Sequence, residues 1–132
     1  MTQEYRKVMI KEAYVSFEIA KLLKEKGFKE EVTNYYDSGG NFVESGYKFN
    51  YNFQTVEHSA PTHQMAMKWL REVYGLFISI NLDYLDWSFQ MFDIKNRNEN
   101  MEPTCLSDSY ACHKCYEDAV EAALKYSLEN LI

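Results

Sequence analysis

The sequence predicts an α+β domain: an antiparallel sheet of about four strands with one face covered by three helices, in the order helix, strands, helix, strands, helix. Three observations carry that expectation. Apolar residues recur at helical spacing in separate stretches, they alternate at period two between those stretches, and Gly27 and Gly75 stand where one pattern gives way to the other. With 132 residues, 46% hydrophobic and 16% aromatic, the chain has material for one core and not for two. Residues 1–132 are therefore read as a single domain, with 1–13 open to being an N-terminal extension.

The first helix lies in Tyr14–Gly27, where Val15, Ile19, Leu22 and Leu23 fall at i, i+4, i+7 and i+8 on one apolar stripe. Gly27 suits the left-handed position past its end, and Lys21, Lys24 and Lys26 suit the negative end of its dipole. Its start has two readings: Ser16 caps a short helix, or Tyr5, Met9, Ala13, Phe17 and Ala20 extend the stripe toward the N-terminus. Val32–Tyr36 is rich in β-formers and runs into the turn cluster Asp37-Ser38-Gly39-Gly40-Asn41. The clearest strand follows at Tyr47–Gln54, with Tyr47, Phe49, Tyr51 and Phe53 facing inward and Lys48, Asn50, Asn52 and Gln54 facing water.

His58-Ser59-Ala60-Pro61-Thr62 then punctuates the chain. Thr62 caps a second helix bearing Ala66, Trp69, Leu70 and Val73, and Gly75 ends it. Leu76, Ile78, Ile80 and Leu82 alternate with Phe77, Ser79 and Asn81 in a third strand. Asp83–Asp86 is the hairpin connection to a fourth, where Trp87, Phe89 and Met91 alternate with Ser88 and Gln90. The polar stretch 93–114, with Asn96, Asn98, Asn100 and Pro103, reads as a long loop that is functional, mobile or hiding a short element. Tyr116, Ala119, Val120, Ala123, Leu124, Ser127 and Leu131 make one face of a closing helix.

Fourteen basic residues against twenty acidic ones leave a net charge of −6, which offers no attraction to phosphates or to an anionic membrane. Neither nucleic acid nor a membrane is expected as a partner. No stretch approaches the ~18 uninterrupted apolar residues of a membrane helix. The opening MTQEYRKVMI has no secretory apolar region, so a reducing, cytoplasmic location is expected. Trp69 and Trp87 read as core residues and not as a base-stacking platform, because the aromatics alternate inward and the charge is acidic. The outer sheet face should present Lys48, Asn50, Asn52, Gln54, Ser79, Asn81, Ser88 and Gln90. Such a polar, almost uncharged surface is either solvated or hydrogen-bonded to a partner or to a second copy.

One cluster has ligand chemistry: Cys105, Cys112 and Cys115, with His113 between the last two, are zinc-ligand types at C-x6-C-x2-C. A closed site wants a fourth ligand, which His58 or His63 would have to supply from the loop before the second helix. An odd number of cysteines within eleven residues is not a disulfide framework, and they read as loop thiols, with Cys115 standing near a helix cap. A thiol pair at Cys112 and Cys115 lacks the strand-then-helix placement of a redox motif. His58 and His63 flank a helix start without a partnered nucleophile or a glycine-rich loop, and Asp83 and Asp86 are explained by turn chemistry.

Three segments together resemble a group of uncharacterised small proteins from gut Bacteroidetes and their phages and other mobile elements. They are Tyr14 to Phe28, Ala60-Pro61-Thr62 leading into Met67–Glu72, and Tyr116 to Leu124. The resemblance runs from about residue 14 to the end and rests on helix and cap signatures. It implies an α+β fold and a bacterial or phage source, and no activity, cofactor or catalytic residue. The stretch from Asp93 to Cys115 is longer than is usual in that group, so the cysteines gain nothing from it. The expectation is a non-enzymatic accessory protein without a cofactor, acting through protein–protein binding or self-association. The alternative is a small metal- or thiol-dependent protein using Cys105, Cys112 and Cys115.

Overall fold

A computed structural model describes residues 10–108 and 112–132. The stripe positions Tyr5 and Met9, and with them most of the 1–13 extension, lie outside the described residues. Helix α1 spans Phe17–Glu25, the shorter of the two starts, because the Ser16 side chain accepts the Ile19 N–H at 3.2 Å. Its end is a Schellman turn: Gly27 takes φ +88°, its N–H bonds the Lys24 carbonyl, and the Phe28 N–H bonds the Leu23 carbonyl. Strands β1 (Val32–Tyr36) and β2 (Phe42–Phe49) form a hairpin, and the short β3 (His58–Ser59) pairs with the other side of β1. The hairpin turn is set by the Asp37 carboxylate, which accepts the N–H groups of Gly39 and Asn41, each at 2.9 Å.

Helix α2 (His63–Trp69) begins where the Thr62 hydroxyl accepts the Met65 N–H, continues as a wider π-type turn through Leu70–Tyr74, and stops at Gly75 with φ +68°. A second antiparallel sheet follows, β4 (Leu76–Asp83), β5 (Asp86–Arg97) and β6 (Pro103–Asp108), in that spatial order. Helix α3 (Tyr116–Tyr126) and a π-type turn at Ser127–Leu131 close the chain. The architecture is α+β in the order helix, strands, helix, strands, helix. No helix among the described residues is long and apolar enough to cross a membrane.

Three expectations are corrected. Among the described residues the strands form two three-stranded sheets and not one sheet of four, since no ladder there joins β3 to β4. The sheets share a core instead: Val15, Ile19, Leu23 and Phe28 meet Leu70, Ile78, Met91, Val120, Leu124 and Leu128, all buried. Each large side chain so removed from water contributes about 1.5–3 kcal/mol.

Tyr47–Gln54 is not a strand with a buried aromatic face. Gly46 takes φ +77° and residues 45–48 bulge out opposite Thr33, after which the chain turns through a 3-10 segment at Tyr51–Phe53. Only Tyr51 is buried, stacked on Tyr35 with ring centroids 4.5 Å apart, while Tyr47 and Phe53 are both 78% exposed.

Most of the expected 93–114 loop is a hairpin. The Asp93 carboxylate accepts the N–H groups of Lys95 and Asn96, which throws 94–96 into a bulge and hides the strand's period. The Asn98 side chain then accepts the N–H groups of Asn100 and Glu102 and turns the chain into β6.

Candidate functional site

The cysteine cluster does not assemble. Cys105 stands on β6 opposite Phe92, Cys112 lies beside the Trp87 backbone, and Cys115 precedes α3 without capping it through its side chain; all three are exposed. His58 belongs to the other sheet, packed edge-on against Phe17 at 5.5 Å, with its pKa lowered by burial and by the charges of Lys24 and Lys21. Among the described residues no three His, Cys, Asp or Glu side chains converge as metal ligands.

His63 is engaged elsewhere. Its Nε2 lies 3.2 Å from Glu121 Oε2, and Glu121 Oε1 accepts the Ser16 N–H at 3.0 Å. One carboxylate from the middle of α3 thus ties down the starts of α1 and α2. Burial pushes the Glu121 pKa up, but the hydrogen bonds from His63 and Ser16, with the His63 charge, outweigh it and leave the group lowered. Tyr36 sits close enough that burial first, and then the Glu121 charge, raise its pKa, while its hydroxyl donates to the Val15 carbonyl at 2.6 Å. Beside the pair opens a cleft of about 280 Å³ lined by Ile10, Ala13, His63, Gln64, Tyr116 and Glu117. Glu121, through both His63 and the Ser16 N–H, holds three helices together, and no nucleophilic side chain among the described residues hydrogen-bonds to His63. Sequence reasoning missed Glu121; its only signal is a carboxylate flanking the apolar stripe of the last helix.

The proposed polar face divides between the two sheets. Asn52 is internal, donating to the Phe28 carbonyl and accepting the Ser59 N–H, both at 2.8 Å, and Asn50 caps the 3-10 turn. Lys48 lies on the bulge and Gln54 gives its carbonyl to Lys24. Ser79, Asn81 and Gln90 do share one face of the second sheet, linked Ser79 to Asn81 at 3.3 Å and Asn81 to Gln90 at 3.4 Å. Ser88, on the same face, is buried and donates to Asp83.

What distinguishes this sheet is its edge. Free strand edges invite pairing with another chain, and bulges, prolines and lysines are the usual protections. The β2 edge carries the Gly46 bulge and Lys48. The β6 edge opens with Pro103 and is bulged against β5. The β4 edge has eight residues in unbroken register with β5, without a proline, a glycine, a lysine or an arginine. The Ile94 N–H bonds the Gly75 carbonyl, so by antiparallel alternation residues 77, 79, 81 and 83 hydrogen-bond to β5. The backbone groups of Leu76, Ile78, Ile80 and Leu82 therefore point outward, and among the described residues nothing pairs with them. The edge ends in an apolar tip: Leu82 is 56% exposed, and Tyr84 and Leu85 at the turn are 100% and 90% exposed.

No family model, no curated protein and no solved structure matches the chain.

Proposed function

We propose that this protein acts by binding another polypeptide, and not by catalysis, through strand addition along the outer edge of β4. The observation that carries the reading is the contrast among the strand edges: β2 and β6 have the features that prevent pairing, while β4 has none. A strand laid on that edge satisfies the outward backbone groups of Leu76, Ile78, Ile80 and Leu82 and covers the exposed Leu82, the usual division between main-chain affinity and side-chain specificity.

The test is site-specific photo-crosslinking in cells that express the protein, with the photoreactive residue at Leu82 or, as a control, at the exposed Glu129. A polypeptide crosslinked from position 82 and not from 129, and lost when Ile80→Pro removes one outward N–H, supports strand addition. Crosslinks indifferent to Ile80→Pro, or none from position 82, refute it.

A further inference from the structure

Building on the strand-addition reading, we infer that the occupant of the β4 edge is a second copy of the same strand, paired antiparallel about a two-fold axis at Ser79. A two-fold antiparallel pair must set some residue opposite its own copy, so only a few registers exist. Centring on Ser79 pairs Leu76 with the second copy's Leu82, and Ile78 with its Ile80, on the core side. All four outward-pointing residues of each strand then meet outward-pointing partners, giving about eight inter-strand hydrogen bonds. A six-stranded sheet results, with the apolar stripe of one copy continued by the other.

Charge selects this register over its neighbours. Asp83 falls opposite Gly75 of the other copy. Gly75 has no side chain, and the Lys95 methylenes occupy its place: a Cβ built there would lie 2.4 Å from Lys95 Cγ, while Lys95 Nζ donates to the Val73 carbonyl at 3.1 Å. Gly75 directly precedes β4 and is covered by Lys95, so in this register each Asp83 carboxylate comes to the end of the other copy's strand that carries the Lys95 ammonium, twice by symmetry. Moving the axis to Ile80 sets Asp83 against Phe77 and forfeits both ion pairs. Asp83 also keeps its bond from Ser88, which holds the carboxylate on that face.

Native mass spectrometry and sedimentation over a range of concentrations read the assembly directly, with the expected mass that of two chains. Leu82→Lys, at a position already exposed in the single copy, should raise the dissociation constant about a hundredfold by removing two buried leucines and placing charge on the edge. Lys95→Glu should weaken the dimer, and the double exchange Asp83→Lys with Lys95→Glu should restore it. With Cys105, Cys112 and Cys115 changed to serine, Ser79→Cys should form an intermolecular disulfide. Self-opposed residues of a non-hydrogen-bonded pair stand about 4.5 Å apart at Cα, within disulfide reach. Asn81→Cys, opposite Phe77 of the other copy, should not. A mass of one chain at every concentration overturns the second-copy inference, and does so without touching the strand-addition reading if position 82 still crosslinks to a different polypeptide. A dimer that survives Leu82→Lys and forms no Ser79→Cys disulfide also overturns the second-copy inference, and the absence of any crosslink from position 82 overturns the strand-addition reading with it.

Discussion

Replacing Glu121 with alanine should be among the most destabilising changes available outside the apolar core. The carboxylate accepts two hydrogen bonds, from the Ser16 N–H at 3.0 Å and His63 Nε2 at 3.2 Å, and the His63 side chain is only 7% exposed. His63 Nδ1 has no partner among the described residues, so Glu121 provides the one polar contact of that ring. Loss of a charged acceptor leaves one backbone donor and one buried ring donor to be solvated, at about 1–3 kcal/mol each for a fully buried group. Glu121 is itself about a quarter exposed, with a side-chain exposure of 28%, so water recovers part of that and about 2–4 kcal/mol is expected overall. At roughly 2.1 cal/mol/K per residue of unfolding entropy, a chain of this length should lose about 7–14 °C in Tm. The assay is thermal unfolding by circular dichroism at neutral pH, with Glu18→Gln as control. Glu18 forms an exposed ion pair with Lys125, and its loss should leave Tm where it was. A Glu121→Ala protein melting within 2 °C or so of the parent would refute the view that this carboxylate fastens three helices.

The same group sets an acid limb. Its folded pKa lies below its unfolded value, so its stabilisation is complete above the unfolded value near 4.3 and is lost as pH falls through the folded one. The Tm gap between parent and Glu121→Gln should therefore close below about pH 4, and a gap constant from pH 7 to pH 3 would contradict the assignment. Gly75→Ala should cost about 1–2 kcal/mol for a left-handed alanine, and more if Lys95 cannot withdraw from its place over the glycine, as read by chemical denaturation. Asn52→Ala should cost about 2 kcal/mol in the same assay, because its side chain spans the Phe28 carbonyl and the Ser59 N–H; a neutral substitution would return Asn52 to the solvated surface.

That last residue shows where sequence reading succeeds and where it stops. The helices and most of their ends were legible because capping is local: Thr62, Gly27 and Gly75 act on backbone within four residues of themselves, while the start of α1 was open between a longer stripe and the Ser16 cap that forms. The β4–β5 hairpin was legible because its two-residue turn and regular alternation leave register no freedom. Tyr47–Gln54 has an equally clean alternation but is not one strand, since β2 ends at Phe49, and Gly46 and the Ser45 hydroxyl, bonded to the Thr33 carbonyl, the Tyr47 N–H and the Tyr51 hydroxyl, bulge the chain before the pattern can be used. The β6 strand was invisible for the converse reason: Asp93 and the Asn98 turn interrupt the period on a real hairpin. Glu121 could not be found at all, since its partners lie 58 and 105 residues away and nothing local marks it.

These misreadings and the candidate site have a common physical cause. Bulges break the alternation that sequence analysis depends on, and bulges are also what keep an edge from pairing. In this chain the two strands whose patterns misled, β2 and β6, are the two whose edges are blunted, by the Gly46 bulge and by Pro103 with the extra residue Leu106. The strand read without error, β4, is regular for the same reason that its edge remains open. Regularity at a sheet edge leaves outward backbone groups unsatisfied by the fold and exposes the chain to aggregation, a liability that β2 and β6 avoid with one glycine, one proline and a few side-chain hydrogen bonds. The outward groups of Leu76, Ile78, Ile80 and Leu82 are spaced to be met together by one extended strand, and Asp83 and Lys95 stand at opposite ends of that edge with opposite charge. An edge meant only to face water requires neither that length nor that arrangement of charge, whereas pairing with a second strand uses both.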